Sequence, residues 1–196
     1  MAGARDAALR ALIAFRRDGA WPESALKDAL RGMDRREAAL ATRLCNGVLQ
    51  NRMLLDHWLS GFVRGKLQPV VRDILRLAAY QLCFLDRIPS SAAVNEAVEQ
   101  TRRLANQQAA RLVNGVLRNM IRGKNDVVWP KPQDDAVKYL SVMFSAPTAL
   151  CQMLVNAYGE HDAMEILRYR PKDRSVTVRV NYLRCDDARL RSLFAD

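Results

Sequence analysis

Histidine is scarce in this sequence, and closely spaced cysteines are missing from it. The 196 residues include two histidines, His57 and His161, and four cysteines without a C-x-x-C pair. Zinc sites need ligands at short spacing, and a Ser-His-Asp or Cys-His arrangement cannot be proposed from histidines so far apart. We therefore predict neither a metal site nor a catalytic group of this kind.

Long apolar stretches and glycine-rich turns are missing as well. No segment approaches the roughly 20 apolar residues of a membrane-spanning helix, and the first ten residues lack the layout of a secretory signal. The nine glycines occur singly, whereas many nucleotide cofactors bind at a glycine-rich turn between a strand and a helix. These absences predict a cytoplasmic protein with no membrane partner and no cofactor site in this chain.

Positive charge is abundant and unevenly distributed. The formal net charge is +10, and residues 1–122 carry most of it, with 20 Lys and Arg against 11 Asp and Glu. Residues 123–196 are nearly neutral, with 11 basic and 10 acidic residues. A basic N-terminal segment favours a polyanionic partner, most simply nucleic acid. Solvated faces of an arginine-rich protein without such a partner are the alternative.

Apolar residues recur at helical spacing through the first segment. Asp34 and Glu37 have the spacing of a capping box, and residues 69–85 are apolar on nearly every face, which predicts the buried centre of a bundle. The short breaks between helices predict a mainly α fold, with about seven helices packed in residues 1–123. The predicted ranges are 4–18, 22–31, 35–49 with a continuation through 62, 69–85, 90–104 and 106–122.

One internal repeat relates two of these helices. The sequences RLCNGVLQN at 43–51 and RLVNGVLRN at 111–119 match at seven of nine positions. Each copy carries a mid-helix glycine, Gly47 or Gly115, and glycine there costs roughly 1 kcal/mol against alanine. We expect the close approach of another helix backbone to compensate at both positions.

Composition changes after Gly123. Residues 124–133 combine prolines with polar residues and predict a linker, and residues 134–196 predict a small α/β domain. Its helices are predicted near 134–143, from 147 to a stop at Gly159, and on to about 170, followed by a strand over 175–183. A lone strand leaves its backbone groups unpaired. We therefore expect a truncated domain within a longer protein, with a strand-exchanged dimer as the alternative.

Two parts of the sequence resemble known families. Residues 74–98, ILRLAAYQLCFLDRIPSSAAVNEAV, resemble the central signature of NusB-like RNA-binding domains. The stretch 139–147, the Ala-Tyr-Gly triplet at 157–159 and TVRVN at 177–181 resemble the region that follows this domain in RsmB-type (Sun/Fmu) methyltransferases. Those enzymes tend to carry tryptophan shortly after the proline, where this chain has Ala149 and Leu150.

The methyltransferase resemblance implies a function for the longer protein. The family methylates carbon 5 of a cytosine in small-subunit ribosomal RNA, using S-adenosylmethionine and a cysteine nucleophile in a Pro-Cys or Thr-Cys context. None of the four cysteines here has that context, so we predict no catalytic residue in this chain. The resemblance implies that the chain recognises ribosomal RNA, and that the full-length enzyme requires S-adenosylmethionine.

Arginines on the first and third helices are candidate RNA contacts. Arg5, Arg10 and Arg17 lie on the first helix, and the resemblance implies that arginine-rich N-terminal segments of NusB-like domains contact RNA. Arg35 and Arg36 fall in a first helical turn, where the helix dipole disfavours cations by ~0.3–1 kcal/mol. Either a bound ligand or pairing with neighbouring carboxylates explains their position.

The last helix of the bundle provides a second candidate group. Arg111, Arg118 and Arg122 follow one another at spacings of 7 and 4, and Lys124 lies just beyond. Such a stripe would hold phosphates without reading bases, and a solvated face is the alternative.

Two other functions stay open on the sequence alone. An antitermination factor of the NusB type would bind RNA and a ribosomal protein, and a plain helical interaction domain would bind no nucleic acid. The residues after Gly123 argue against the antitermination factor. The expected partner is small-subunit ribosomal RNA, with a ribosomal-protein contact as a further candidate, and the sequence predicts neither the target cytosine nor the oligomeric state.

Overall fold

The computed structural model describes residues 3–123, 126–169 and 178–194. Ten helices and no strand occur in these ranges, which confirms the mainly α fold class, and seven of the helices lie within residues 1–123 as predicted. The helices are α1 Ala4–Asp18, α2 Pro22–Ala29, α3 Arg35–Gln50, α4 Arg52–Ser60, α5 Pro69–Phe84, α6 Ser90–Leu104, α7 Gln107–Arg122, α8 Ala136–Phe144, α9 Thr148–Arg168 and α10 Asp187–Leu193.

The start of α3 shows which part of the predicted capping box forms. Asp34 caps the helix, since its Oδ1 accepts hydrogen bonds from the backbone N–H groups of Arg36 (2.9 Å) and Glu37 (3.1 Å). Glu37 does not return to Asp34. Its Oε2 instead accepts from the backbone N–H of Ala4 at 2.6 Å, so a carboxylate of α3 satisfies the free N-terminal end of α1.

Helix α5 is the centre of the bundle, as its apolar sequence predicts. Ile74, Leu75 and Leu77 are fully buried, and α5 packs against α1, α3, α4, α6 and α7. Truncating one of these leucines to alanine would cost about 2–5 kcal/mol by the usual cavity penalty.

Two aspartates and two arginines link α1, α4 and α5 through a chain of ion pairs. Asp73, with 5% of its side chain exposed, accepts from Arg16 Nε at 2.6 Å and from Arg76 Nη1 at 3.2 Å. Arg76 in turn donates from Nε and Nη2 to the two carboxylate oxygens of Asp56, both at 2.7 Å. Burial disfavours the charged guanidinium of Arg76, but the hydrogen bonds that it donates to Asp56 and Asp73, together with their negative charges, outweigh burial and raise the pKa of Arg76.

The two repeat glycines have different surroundings, and the expectation of a close helix backbone is wrong at both. A Cβ on Gly47 would overlap the ring of Tyr80, so a side chain of α5, and not its backbone, occupies the space beside α3. Gly115 lies on the exposed face of α7, and a Cβ there would meet no atom within 4 Å. Only Gly47 therefore serves packing inside the described protein.

Helices α8 and α9 form a second, smaller core that contacts α4. Ser145, at the end of α8, has φ 53°, and its Oγ accepts from the backbone N–H groups of Met53 (2.8 Å) and Leu54 (3.3 Å). A residue of the second segment thus satisfies donors at the start of α4. Gly159, at φ 78° and ψ 169°, interrupts α9, which confirms the predicted helix stop.

The strand predicted over 175–183 is wrong where the structure describes it. Residues 175–177 lie outside the described ranges, 178–180 adopt no regular structure and 182–184 form a turn. Asn181 O accepts from the N–H of Arg184 at 2.9 Å, and α10 begins soon after at its cap Asp186. The described residues offer no neighbouring strand, so alternation alone does not produce a sheet.

Alanine at the two repeat glycines should change stability in opposite directions. Gly47→Ala forces Tyr80 away from α3 and should lower the free energy of unfolding by about 1–3 kcal/mol, as overpacking does. Gly115→Ala removes only the entropic penalty of glycine in a helix. It should therefore raise the free energy of unfolding by about 0.5–1 kcal/mol. Urea unfolding followed by circular dichroism measures both, and a destabilised Gly115→Ala would contradict the description of α7.

Candidate nucleic-acid interface

The three predicted arginines of α1 differ in how free they are to bind a ligand. Arg5 is half-buried, and its Nε donates to Gln81 Oε1 at 2.6 Å. Arg17 is exposed but paired with Asp18 at 2.7 Å. Arg10 is exposed, and the one side-chain hydrogen bond that it makes in the described ranges is a 3.2 Å contact from Nη2 to a backbone carbonyl of α2. Arg10 is therefore the most available of the three.

Asp6 connects α1 to α6 and brings in an arginine that the sequence reasoning missed. Its Oδ1 accepts from Gln100 Nε2 at 2.9 Å and from Arg103 Nη2 at 2.7 Å. Burial alone would raise the pKa of Asp6, but the bonds from Arg103 and Gln100 and the charges of Arg103 and Arg10 outweigh it, so this pKa lies below its ordinary value. The adjacent basic residues Arg102 and Arg103 in the last turn of α6, where the dipole favours cations, were the available signal.

Arg35 and Arg36 are exposed at the start of α3. Neither makes an ion pair or a side-chain hydrogen bond within the described residues, so pairing with Asp34 or Glu37 does not explain their position. Arg10 lines a cleft of about 510 Å³ together with Arg31, Asp34 and Glu37, and neither Arg35 nor Arg36 lines it. The structure therefore places Arg10 near the acidic residues at the start of α3 and does not bring it into one site with Arg35 and Arg36.

The arginines of α7 form the predicted stripe. Arg111, Arg118 and Arg122 are all exposed, and Gly115 lies on the same face, at i, i+4, i+7 and i+11. Arg122 Nη2 donates to Asn119 Oδ1 at 2.5 Å, whereas Arg111 and Arg118 have no partner among the residues described. Lys124, the fourth predicted cation, lies outside the described ranges. The opposite face of α7 buries Ala110, Val113, Val116, Leu117 and Met120.

Helix α6 lies between the two groups of arginines. It packs against α7, and Arg103 joins it to Asp6 of α1. No hydrogen bond or ion pair connects the arginines of α1 directly with those of α7 in the part of the chain that the structure describes. The arrangement is one of separate cationic patches on a helical surface, which suits contacts with several phosphates of one polyanion.

Two of the four thiols, Cys45 and Cys151, lack the properties of a nucleophile. Burial raises the pKa of Cys45 to about 11 and also raises the pKa of Cys151, so both are protonated at neutral pH. A reactive cysteine instead needs a lowered pKa and solvent access. Within the described ranges no cluster of three or more potential metal ligands occurs, and no helix there is long and apolar enough to cross a membrane.

These features define an all-helical domain with a surface suited to a polyanion. Residues 2–122 match the NusB family, and the chain belongs to that family. The seven helices α1–α7 coincide with the matched range, so the resemblance read from residues 74–98 is confirmed.

Relatives of two kinds are similar to this chain. A protein of Bacillus subtilis named "Probable ribosomal RNA small subunit methyltransferase B" is 35% identical over 190 residues, covering 95% of this chain and 42% of its own length. Its namesake from Synechocystis is 30% identical over 165 residues, covering 81% of this chain and 35% of its own length. A transcription antitermination protein NusB from Bacillus velezensis is 37% identical over 121 residues, covering 60% of this chain and 92% of that protein. The chain thus spans less than half the length of these methyltransferases.

Replacing Asp6 with asparagine should reduce stability in a pH-dependent way. The folded-state pKa of Asp6 lies below its ordinary value of 3.8, so its contribution is present above that pH and is lost as pH falls through the folded-state pKa. Asp6→Asn should lower the free energy of unfolding at pH 7 by about 1–2 kcal/mol, as expected for a charge-assisted hydrogen bond.

Urea unfolding between pH 7 and pH 3 tests this linkage. The difference between Asp6→Asn and the unmodified protein should shrink below pH 4, near the ordinary value of 3.8. Asp28→Asn, which removes an exposed carboxylate paired with Arg31, is the control and should change stability less at neutral pH. A difference for Asp6→Asn that stays constant across this range would contradict the linkage.

Proposed function

We propose that this chain is the RNA-binding, substrate-recognition region of a ribosomal-RNA (cytosine-5) methyltransferase. The extent of the similarity supports this over an antitermination factor. The Bacillus subtilis methyltransferase aligns over 190 residues, whereas the Bacillus velezensis NusB aligns over 121. Residues after the NusB match therefore share sequence with methyltransferases too.

The proposed organisation has three parts. Residues 1–123 form the NusB-like RNA-binding domain, 124–133 a linker, and 134–196 part of a second domain that precedes the catalytic domain of the longer protein. The separate core around Leu140, Cys151 and Leu154 supports a second unit after the linker. S-adenosylmethionine and the nucleophilic cysteine would belong to the catalytic domain, because none of the four cysteines here has a Pro-Cys or Thr-Cys context. Cys45 and Cys151 are also buried and protonated.

The RNA-binding proposal rests mainly on the surroundings of Gly115. Glycine in the middle of a helix costs about 1 kcal/mol relative to alanine, and no atom of the described protein uses the space beside it. Arg111 and Arg118 flank it on the same exposed face, and neither has a partner in the described ranges. A phosphate backbone crossing α7 here would approach the helix closely while both guanidinium groups reach its phosphates.

The other candidate arginines would add further phosphate contacts. We propose phosphate contacts from Arg10, Arg35, Arg36 and Arg122, which are all exposed. Arg5 and Arg17 would contribute mainly after exchanging their partners Gln81 and Asp18. Lys124 would extend the α7 stripe in sequence.

A second candidate is recruitment of a ribosomal protein together with RNA. It is favoured by the alignment that covers 92% of the Bacillus velezensis antitermination protein. Binding of small-subunit ribosomal RNA by this chain without any protein partner would favour the methyltransferase reading.

Removing the α7 charges should weaken RNA binding and flatten its salt dependence. Arg111→Gln/Arg118→Gln should reduce the slope of log K against log salt by about 1.4–1.8, since each neutralised phosphate contributes about 0.7–0.9. Fluorescence anisotropy with a labelled small-subunit rRNA hairpin at several salt concentrations measures the slope. The matched control is Arg87→Gln/Arg184→Gln, which removes two exposed arginines that do not belong to α7; an equal loss of slope in the control would remove the assignment to α7.

A bulkier side chain at Gly115 should separate stability from binding. Gly115→Gln keeps the charge and favours the helix, so the free energy of unfolding should not fall. The affinity for the same hairpin should nevertheless fall, because the side chain occupies the space proposed for the RNA backbone. Unchanged RNA affinity of this variant would show that the backbone does not cross α7 at Gly115.

A further inference from the structure

A cleft between α1, the α3–α4 junction and the start of α5 combines positive charge with apolar walls. Its volume is about 320 Å³, and four arginines line it, namely Arg16, Arg52, Arg72 and Arg76, against the single carboxylate of Asp73. The ring of Phe15 and several aliphatic side chains form the rest of its lining. This volume lies at the lower end of the roughly 300–1,000 Å³ typical of ligand sites.

Two of the four arginines are already neutralised within the fold. Asp73 forms ion pairs with Arg16 at 2.6 Å and with Arg76 at 3.2 Å. Arg76 forms a further ion pair with Asp56 at 2.7 Å. Two guanidinium groups thus face two carboxylates. The ion pairs account for Arg16 and Arg76 and leave the charges of the other two arginines unbalanced.

Arg52 and Arg72 are the unbalanced pair. Both are exposed at the cleft, and neither makes a hydrogen bond or an ion pair through its side chain in the ranges that the structure describes. Arg52 is the first residue of α4 and Arg72 the fourth of α5, and neither helix has an acidic residue in its first turn. Cations are disfavoured at a helix N-terminus, so their placement here calls for an anion in the cleft.

The apolar lining narrows the choice of anion. A bare phosphate needs only the guanidinium groups, whereas Phe15 offers an aromatic surface beside them. Proteins that bind unpaired RNA combine these elements, with arginines on the phosphates and an aromatic ring against an unstacked base. A base inside a continuous duplex cannot reach such a ring.

We propose that this cleft binds one unstacked nucleotide of a bulged or single-stranded RNA, with its phosphate on Arg52 and Arg72 and its base against Phe15. The proposal rests on the RNA-binding function proposed above and adds a site away from the α7 stripe. The cleft would distinguish RNAs by their secondary structure. A fully paired RNA helix would contact only exposed arginines, because its stacked bases could not reach Phe15.

Two RNA hairpins that differ by one bulged nucleotide test this selection with the full 196-residue chain. The unmodified protein should prefer the bulged hairpin by about tenfold, the scale of one base–aromatic stack. Arg52→Gln/Arg72→Gln and Phe15→Leu should each remove most of this preference, and Phe15→Leu should leave the salt slope unchanged because it removes no charge. The control Arg87→Gln/Arg184→Gln should affect both hairpins equally and keep the preference.

A titration with cytidine 5′-monophosphate, cytidine and inorganic phosphate examines the cleft directly by NMR. The monophosphate should shift the Phe15 ring and the Arg52 and Arg72 side-chain resonances together. Inorganic phosphate should shift only the arginines, and cytidine should bind more weakly than the monophosphate. Shifts confined to the arginines of α7 would overturn the proposed site, and equal binding of phosphate and monophosphate without change at Phe15 would overturn its base-binding part.

The hairpin measurement also separates this proposal from the one on which it rests. Binding of both hairpins with equal affinity and steep salt dependence would reject the cleft and leave the RNA-binding function intact. Absence of binding to either hairpin at low salt would reject both.

Discussion

The buried carboxylate of Asp73 is the constraint on which the arrangement of α1, α4 and α5 depends. Its side chain is 5% exposed and accepts from Arg16 of α1 and Arg76 of its own helix, and Arg76 extends the chain to Asp56 of α4. Breaking a buried pair by removing one partner costs about 3–5 kcal/mol, because the other charge is left in a low-dielectric environment. A shift of α1 or α4 along α5 would therefore leave buried Asp73 or Arg76 without one of its partners.

The same chain of ion pairs divides the arginines into structural and available ones. Arg16 and Arg76 pair with carboxylates inside the fold, whereas Arg52 and Arg72 at the rim of the same cleft have no carboxylate partner among the described residues. On α1 the division is between Arg5, bonded to Gln81, and exposed Arg10. The net charge of +10 therefore overstates the charge offered to a partner, and the position of the unpaired arginines matters more than their number.

Local patterns predicted the helices well and the sheet poorly. The cap at Asp34, the buried α5 and the helix stop at Gly159 depend on residues within one or two turns of each other. The strand over 175–183 needs a partner strand, which alternation within one segment cannot supply. Glu37 lies within one turn of Asp34, but the backbone N–H of Ala4 in α1 takes its carboxylate instead, so a tertiary contact replaces the local one. Residues 178–183 find no strand to pair with in the described chain, and Glu37 finds the N-terminus of α1 in place of its own helix cap.

The sequence by itself determined the helical class, the family resemblance and the face of α7 that carries Arg111, Arg118 and Arg122, because helical periodicity and short motifs are local properties. Only the tertiary structure decided which arginines are free. Among the residues that the structure describes, it placed Tyr80 against Gly47 but nothing against Gly115, and it set Asp73 between Arg16 and Arg76 while leaving Arg52 and Arg72 unpaired. Such pairings join residues up to 57 positions apart, and no local pattern specifies contacts over that distance.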